Sequence, residues 1–192
     1  MHVRTLVSLA VLLALGSPVA TAAPVPRETP ALTVTDVMGQ EQDLSQFKGD
    51  VMVIEFMLIR CSGCLQMAQT INRLHAEMGS RGFQSIAVAF DNSVNAQVVR
   101  ELAQLLKLDY PVGYTTPEEV DRYLLRAPTV RFQLPQIVVI DRAGAIRAQS
   151  RPSGEMDLMN ENHLRNLVRE LLEEVPPLGN SDKSAVAPAP LN

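Results

Sequence analysis

The stretch from Val51 to Leu58 is almost continuously apolar, and it runs through a short link into Cys61-Ser62-Gly63-Cys64. A run of that length and character suits a central strand covered on both faces. Directly after it, Cys64, Met67, Ala68, Ile71, Leu74 and Met78 recur at helical spacing, and Gly79 and Gly82 can end the helix. A buried strand that feeds an amphipathic helix calls for a sheet with helices packed on it, the layering of an α/β protein. The two cysteines stand where that strand becomes that helix.

The remaining pattern agrees. Leu32 to Thr35 alternates as a half-buried strand, Met38-Gly39-Gln40 suits a turn, and Gln84 to Phe90 reads as a second buried strand. A helix is expected around Asn95 to Lys107, with Val98, Val99, Leu102, Leu105 and Leu106 on one side. Thr116-Pro117-Glu118-Glu119 has the form of a capping box for a short helix to about Leu124. Gln136 to Asp141 and Ala145 to Ser150 form a strand pair turned by Arg142-Ala143-Gly144, and Leu164, Leu167, Val168, Leu171 and Leu172 mark a last helix. Alternating strands and helices, then a hairpin and a terminal helix, predict a central mixed β-sheet with helices on both faces. One folded domain is expected over 31–175, with hydrophobic residues at 46% and aromatics at only 4%, so aliphatic side chains must build its core.

The ends read differently. Arg4, an apolar run from Leu6 to Leu15 and the small residues Ala20-Thr21-Ala22 have the form of an export signal over 1–22, with membrane anchoring as the outcome if it stays uncleaved. Residues 23–30 read as a Pro-rich flexible tether, and 176–192 as a Pro-, Ala- and Asn-containing tail with too little apolar content to pack. Beyond residue 22 the chain carries 16 basic and 21 acidic side chains with no basic stripe, so neither nucleic acid nor an anionic membrane surface is an expected partner.

Export permits disulfides. A bridge from Cys61 to Cys64, however, closes too short a loop to restrain much of the unfolded chain, so stabilisation is a poor reason for the pair. At the first turn of a helix, Cys61 meets unpaired N–H groups and the positive end of the helix dipole. Both favour the thiolate, the form that attacks disulfides, and Arg60 can add positive charge. Cys64, facing the core, is placed to resolve a mixed disulfide. Metal carriage competes with this reading. A closed zinc site wants four ligands and only His75 and His163 remain in the folded part, but two thiolates suffice for Cu(I). A redox-sensing module that uses the same pair also stays open. No cofactor is expected for the exchange reading.

Glu55 lies inside the apolar strand. A buried carboxyl has a raised pKa and suits the acceptance of a proton from Cys64, whereas a strand-end Glu would reach water. Pro135 either marks a strand boundary or, through a cis bond to Leu134, shapes a turn beside the cysteines. His75 and His163 read as structural or solvated, and Asp91 and Asn92 as turn or cap residues.

With these residues in place, the chain resembles the TlpA/ResA-like thiol–disulfide oxidoreductases of the thioredoxin superfamily, neighbours of the redoxin and AhpC/TSA group. The resemblance rests on Asp43-Leu-Ser-Gln-Phe-Lys-Gly49, the strand into Cys61-Ser-Gly-Cys64, and Leu134-Pro135 before Ile137-Val-Val-Ile-Asp141. It implies a thioredoxin-like fold with an N-terminal β-hairpin and a helical insertion around 94–110. It further implies a cis Leu134–Pro135 bond, and substrate contacts from Leu134 and Pro135, to which the position of Arg60 adds a third. Cys61, Cys64 and Glu55 are then the catalytic set. Protein thiol or disulfide clients, a membrane or periplasmic electron donor and a bacterial periplasmic location follow from the resemblance. The departures are Arg60, where relatives carry Trp, and Ser62-Gly63 without Pro. A thiol peroxidase is the nearest enzymatic rival, but Ile54 and Leu58 stand where peroxidases place Pro and a hydroxyl residue.

Overall fold

The computed structural model describes residues 23–153 and 157–174. Its centre is strand β4 (Val51–Met57), every residue of which is buried. Strand β5 (Phe83–Ala89) pairs with it in parallel on one side, and β7 (Gln136–Ile140) pairs antiparallel on the other. Beyond β5 lie β6 (Val112–Tyr114), parallel, then β2 (Thr33–Asp36) and β3 (Glu41–Asp43), both antiparallel. Beyond β7 lie β8 (Ala145–Gln149) and a two-residue edge strand β1 (Arg27–Glu28). The sheet of eight is ordered β1-β8-β7-β4-β5-β6-β2-β3.

Strand alternation divides the interior into two cores. Val51, Val53 and Met57 face helices α1 (Ser62–Met78), α2 (Ala96–Leu106) and α4 (Glu161–Glu173). Met52, Ile54 and Phe56 face α3 (Pro117–Leu124) together with Leu32, Val34 and Leu44. Helices therefore lie on both faces of a mixed sheet, and β2 with β3 is the expected N-terminal hairpin. The expected insertion is α2, started by Asn95, whose side chain accepts from Val98 N at 3.1 Å. Thr116 caps α3 through the N–H of Glu119 at 3.2 Å, with Pro117 in the first turn.

Two features depart from expectation. The segment read as a tether contains β1, where Arg27 lies opposite Ile146 and Glu28 opposite Ala145. The Arg27 guanidinium also donates to Tyr123 O at 2.9 Å and to Gln149 Oε1 at 2.7 Å. Pairing to an open strand edge uses backbone groups and needs no apolar periodicity, so composition could not reveal it. The second departure is β6, too short for its alternation to register. The expected signal (1–22) and tail (176–192) lie outside the described residues. Among the described residues no helix is long and apolar enough to cross a membrane.

Candidate redox site at the end of the central strand

β4 ends at Met57, whose carbonyl accepts from Phe90 N at 3.2 Å, just past the end of β5. Two residues later the Ile59 N–H donates to Asp91 Oδ2 at 2.9 Å. Cys61 N then turns back to Leu58 O at 3.1 Å, and helix α1 begins at Ser62. Cys61 is therefore the N-cap residue of α1, with extended backbone angles. Its sulfur accepts from the Cys64 N–H at 3.2 Å, which places one of the helix's unpaired donors on the atom that would carry the thiolate charge. Cys61 and Cys64 are joined as a disulfide, their Cα atoms 5.2 Å apart. Cys61 is half-buried and Cys64 is fully enclosed beneath it, so a partner arriving from solvent meets Cys61 first.

Glu55 lies on the same sheet face as Val53 and Met57, the face that packs against α1 and Cys64. Across the sheet it pairs with Ala87 and Ile137, and its exposure is 0%. Neither carboxyl oxygen has a hydrogen-bond partner among the described residues. Burial without a compensating donor or cation penalises the charged form, so the Glu55 pKa is held well above the ordinary carboxylate range. Tyr110, in the same core, donates its hydroxyl to Ala68 O at 3.2 Å on α1. Burial pushes its phenol well up, and the Glu55 charge adds to that shift.

The third element is the turn before β7. The Leu134–Pro135 bond is cis. A Cβ built on Gly63 would sit 3.9 Å from both Leu134 O and Pro135 Cδ, so the turn lies directly against the residues between the cysteines. Gln133 N donates to Pro152 O at 2.9 Å, and Ile137 N to Ser150 Oγ at 3.0 Å, which fixes the turn on both sides. Leu134 is half-buried and packs against both cores.

Cys61 and Leu134 are thus partly exposed at this helix start, with Cys64, Pro135 and Glu55 buried. Arg60 stands apart: its side chain is exposed and makes no ion pair or hydrogen bond among the described residues. Asp91 has a larger part than a turn or cap, because its carboxylate anchors the link between β4 and Cys61. The usable signal was its place just after a buried strand parallel to β4. His75 is structural, with Nδ1 3.0 Å from Ser85 Oγ and its ring against Phe83 and Tyr110. No group of three or more His, Cys, Asp or Glu side chains among the described residues is arranged to hold a metal ion.

The family model described as the AhpC/TSA family matches residues 25–149, a span that takes in β1. Thiol-disulfide oxidoreductase ResA of Bacillus thuringiensis subsp. konkukian (strain 97-27) is 26% identical over 120 residues, 62% of this chain and 65% of that relative. The match thus covers a little under two thirds of the relative's length. Among solved structures, a thiol:disulfide interchange protein of the thioredoxin family from Chlorobium tepidum TLS superposes with a TM-score of 0.62 at 20% identity, covering 79% of this chain and 99% of its own. The thioredoxin domain of a thiol-disulfide oxidoreductase from Bacteroides vulgatus gives 0.60 at 20% identity, with 81% of this chain and all of that one covered (100%). These structures share the fold, a mixed sheet between helices with the cysteine pair at the end of its central strand in this chain. On the matched span the chain belongs to the AhpC/TSA family, and it is similar to ResA and shares the fold of the thioredoxin-family structures.

Proposed function

We propose that this chain is an exported protein-disulfide oxidoreductase that reduces disulfides in client proteins through Cys61 and Cys64. The observation that carries the reading is the juxtaposition of the Cys61–Cys64 pair, at the start of α1, with the cis Leu134–Pro135 turn against Gly63. In the dithiol state the helix N-terminus and the Cys64 N–H favour a thiolate at Cys61. That thiolate attacks one client sulfur, so an S–S bond forms to Cys61 and the other client sulfur leaves as a thiolate. Cys64 then attacks Cys61, the Cys61–Cys64 bond forms, and the second client sulfur is released. Two electrons pass to the client and the pair is oxidised. The Cys64 proton goes to Glu55 in molecules where that carboxyl has ionised, and burial makes the resulting carboxylate a stronger base than an exposed one.

Leu134 is the surface on which the client chain rests during exchange, held in place by the buried Pro135, and the exposed Arg60 offers the client a charge one residue before Cys61. A dithiol donor at the membrane or in the periplasm returns the two electrons and restores the thiols. The signal-like residues 1–22 support export to that compartment. Ile54 and Leu58, apolar and packed in the second core, offer no hydrogen-bond donor beside Cys61 and weigh against a thiol peroxidase.

Equilibration with defined redox buffers, followed by thiol trapping, tests this. A couple near the thioredoxin value of about −270 mV supports a reductant, and one near the DsbA value of about −120 mV would make the chain an oxidant instead. With Cys64→Ser, mixed disulfides between Cys61 and clients should accumulate on non-reducing gels. Absence of any reversible couple would overturn the exchange reading and leave Cu(I) carriage by the same sulfurs.

A further inference from the structure

We propose that Arg126 and Phe132 are positioning residues that set the width of the client cleft between Leu134 and Cys61; the proposal rests on the disulfide-exchange reading. The chain from Leu125 to Pro135 has neither helix nor strand, yet it carries Leu134 to its place over Gly63. A connection of that kind needs side chains to hold its course.

The Arg126 side chain supplies most of the hold. It is only 12% exposed and pairs with Asp121, itself 15% exposed, on α3. It also donates to the Val130 carbonyl, which closes the first part of the loop. Its guanidinium carbon lies 4.2 Å from the centroid of the Phe132 ring. Phe132 in turn stacks on Phe90, with centroids 6.0 Å apart and planes at 15°. A guanidinium and two rings therefore form one continuous stack of planar groups, an arrangement in which the cation and the aromatic faces attract.

The far end of the stack is what ties it to function. Phe90 donates its N–H to Met57 O, and its neighbour Asp91 accepts the Ile59 N–H two residues before Cys61. Phe90 and Asp91 thus touch both sides of the site: the cysteine side through Ile59, and the cis-proline loop through Phe132. Removing the stack leaves Cys61, Cys64, Glu55 and the helix N-terminus intact but releases Leu134 from a fixed distance. Chemistry with a small disulfide, which needs only Cys61, should not change. Docking of a protein chain, which needs both sides, should.

The test uses the full chain as wild type, Arg126→Met, Arg126→Lys and Phe132→Leu. Three measurements are compared: the equilibrium potential of the pair, the rate of the pre-reduced protein with 5,5′-dithiobis(2-nitrobenzoate), and kcat and KM for reduction of insulin with dithiothreitol as the electron donor. The expected result is an unchanged potential and an unchanged small-disulfide rate. The KM for insulin should rise about tenfold in Arg126→Met and Phe132→Leu, the loss of about 1.4 kcal/mol that a desolvated cation–aromatic contact can supply. Arg126→Lys, which keeps the charge opposite Asp121 without the planar face, should fall between. An unchanged insulin KM in every variant would overturn the proposal, as would equal losses on both substrates, which indicate general unfolding. If Arg126→Met does not fold, Phe132→Leu, which removes only the ring, decides alone. Wild type that reduces neither substrate would sink the exchange reading itself, an outcome visible before any variant is compared.

Discussion

Replacing Glu55 by Gln should make the protein more stable and the enzyme slower, and the two effects share one cause. The native carboxyl is fully buried and its oxygens lack partners among the described residues, so it keeps its proton to higher pH than the same group in the unfolded chain. Below the ordinary carboxylate range both states are protonated and titration of Glu55 costs nothing. Above that range the unfolded chain releases the proton while the native state retains it. The unfolded state then binds fewer protons, and stability falls as pH rises, by about 1.4 kcal/mol per pH unit from this one group. The loss ends only where the native carboxyl ionises. Gln has nearly the same shape and no charge at any pH, so this slope disappears in the variant. Urea unfolding from about pH 4 upward should show wild type and Glu55→Gln close together at the acid end and the variant increasingly ahead until the native carboxyl ionises, after which the gap stays constant. Turnover should move the other way. A positioned general base is worth about 10²-fold or more once it is ionised, so wild-type release of the mixed disulfide by Cys64 should accelerate as pH rises through the native Glu55 ionisation, and Glu55→Gln should lack that acceleration and lag by about that factor above it. Stopped-flow release from a preformed Cys61 mixed disulfide measures the step directly. A variant with the same release rate as wild type at every pH would refute the proton-acceptor role, and stability curves parallel from the acid end onward would refute the buried, partnerless carboxyl.

Other perturbations probe how the site is held. Asp91→Ala removes the carboxylate that accepts the Ile59 N–H and should cost about 1.5–3 kcal/mol, the range for hydrogen bonds to charged groups, read as a lower urea midpoint together with slower exchange at Cys61. Gly113→Ala should be disruptive, because the new Cβ would lie 2.3 Å from Val34 Cγ1 and 2.8 Å from the Thr35 carbonyl oxygen. The backbone oxygen cannot rotate away, so a loss of about 1–3 kcal/mol is expected, with faster amide exchange confined to β2 and β3. A Gly113→Ala protein with wild-type stability would mean that β2 does not press on β6 as closely as the structure has it.

Much of the architecture was legible in the residue order because it depends on local periodicity. The unbroken apolar run of β4 announced a strand buried on both faces, and the stripe from Cys64 to Met78 announced α1 and its inward side. Thr116 and Asn95 marked helix starts through their own side chains. The cysteines at the strand–helix junction followed from these two elements alone, whereas the pairing of β4 on both sides chose burial over a solvent-reaching strand end for Glu55. What the sequence could not decide are the features made by groups far apart in the chain. Arg27–Glu28 is a strand only because β8 leaves backbone donors and acceptors open at its edge. Asp91 is an anchor only because parallel pairing of β4 and β5 brings their carboxyl ends level. The Arg126–Phe132–Phe90 stack joins a loop to a strand some forty positions earlier through planar faces that leave no periodic trace. Short-range signals report which face of an element is apolar. The distances between elements come from pairing register and side-chain packing, and these determine what lies beside Cys61.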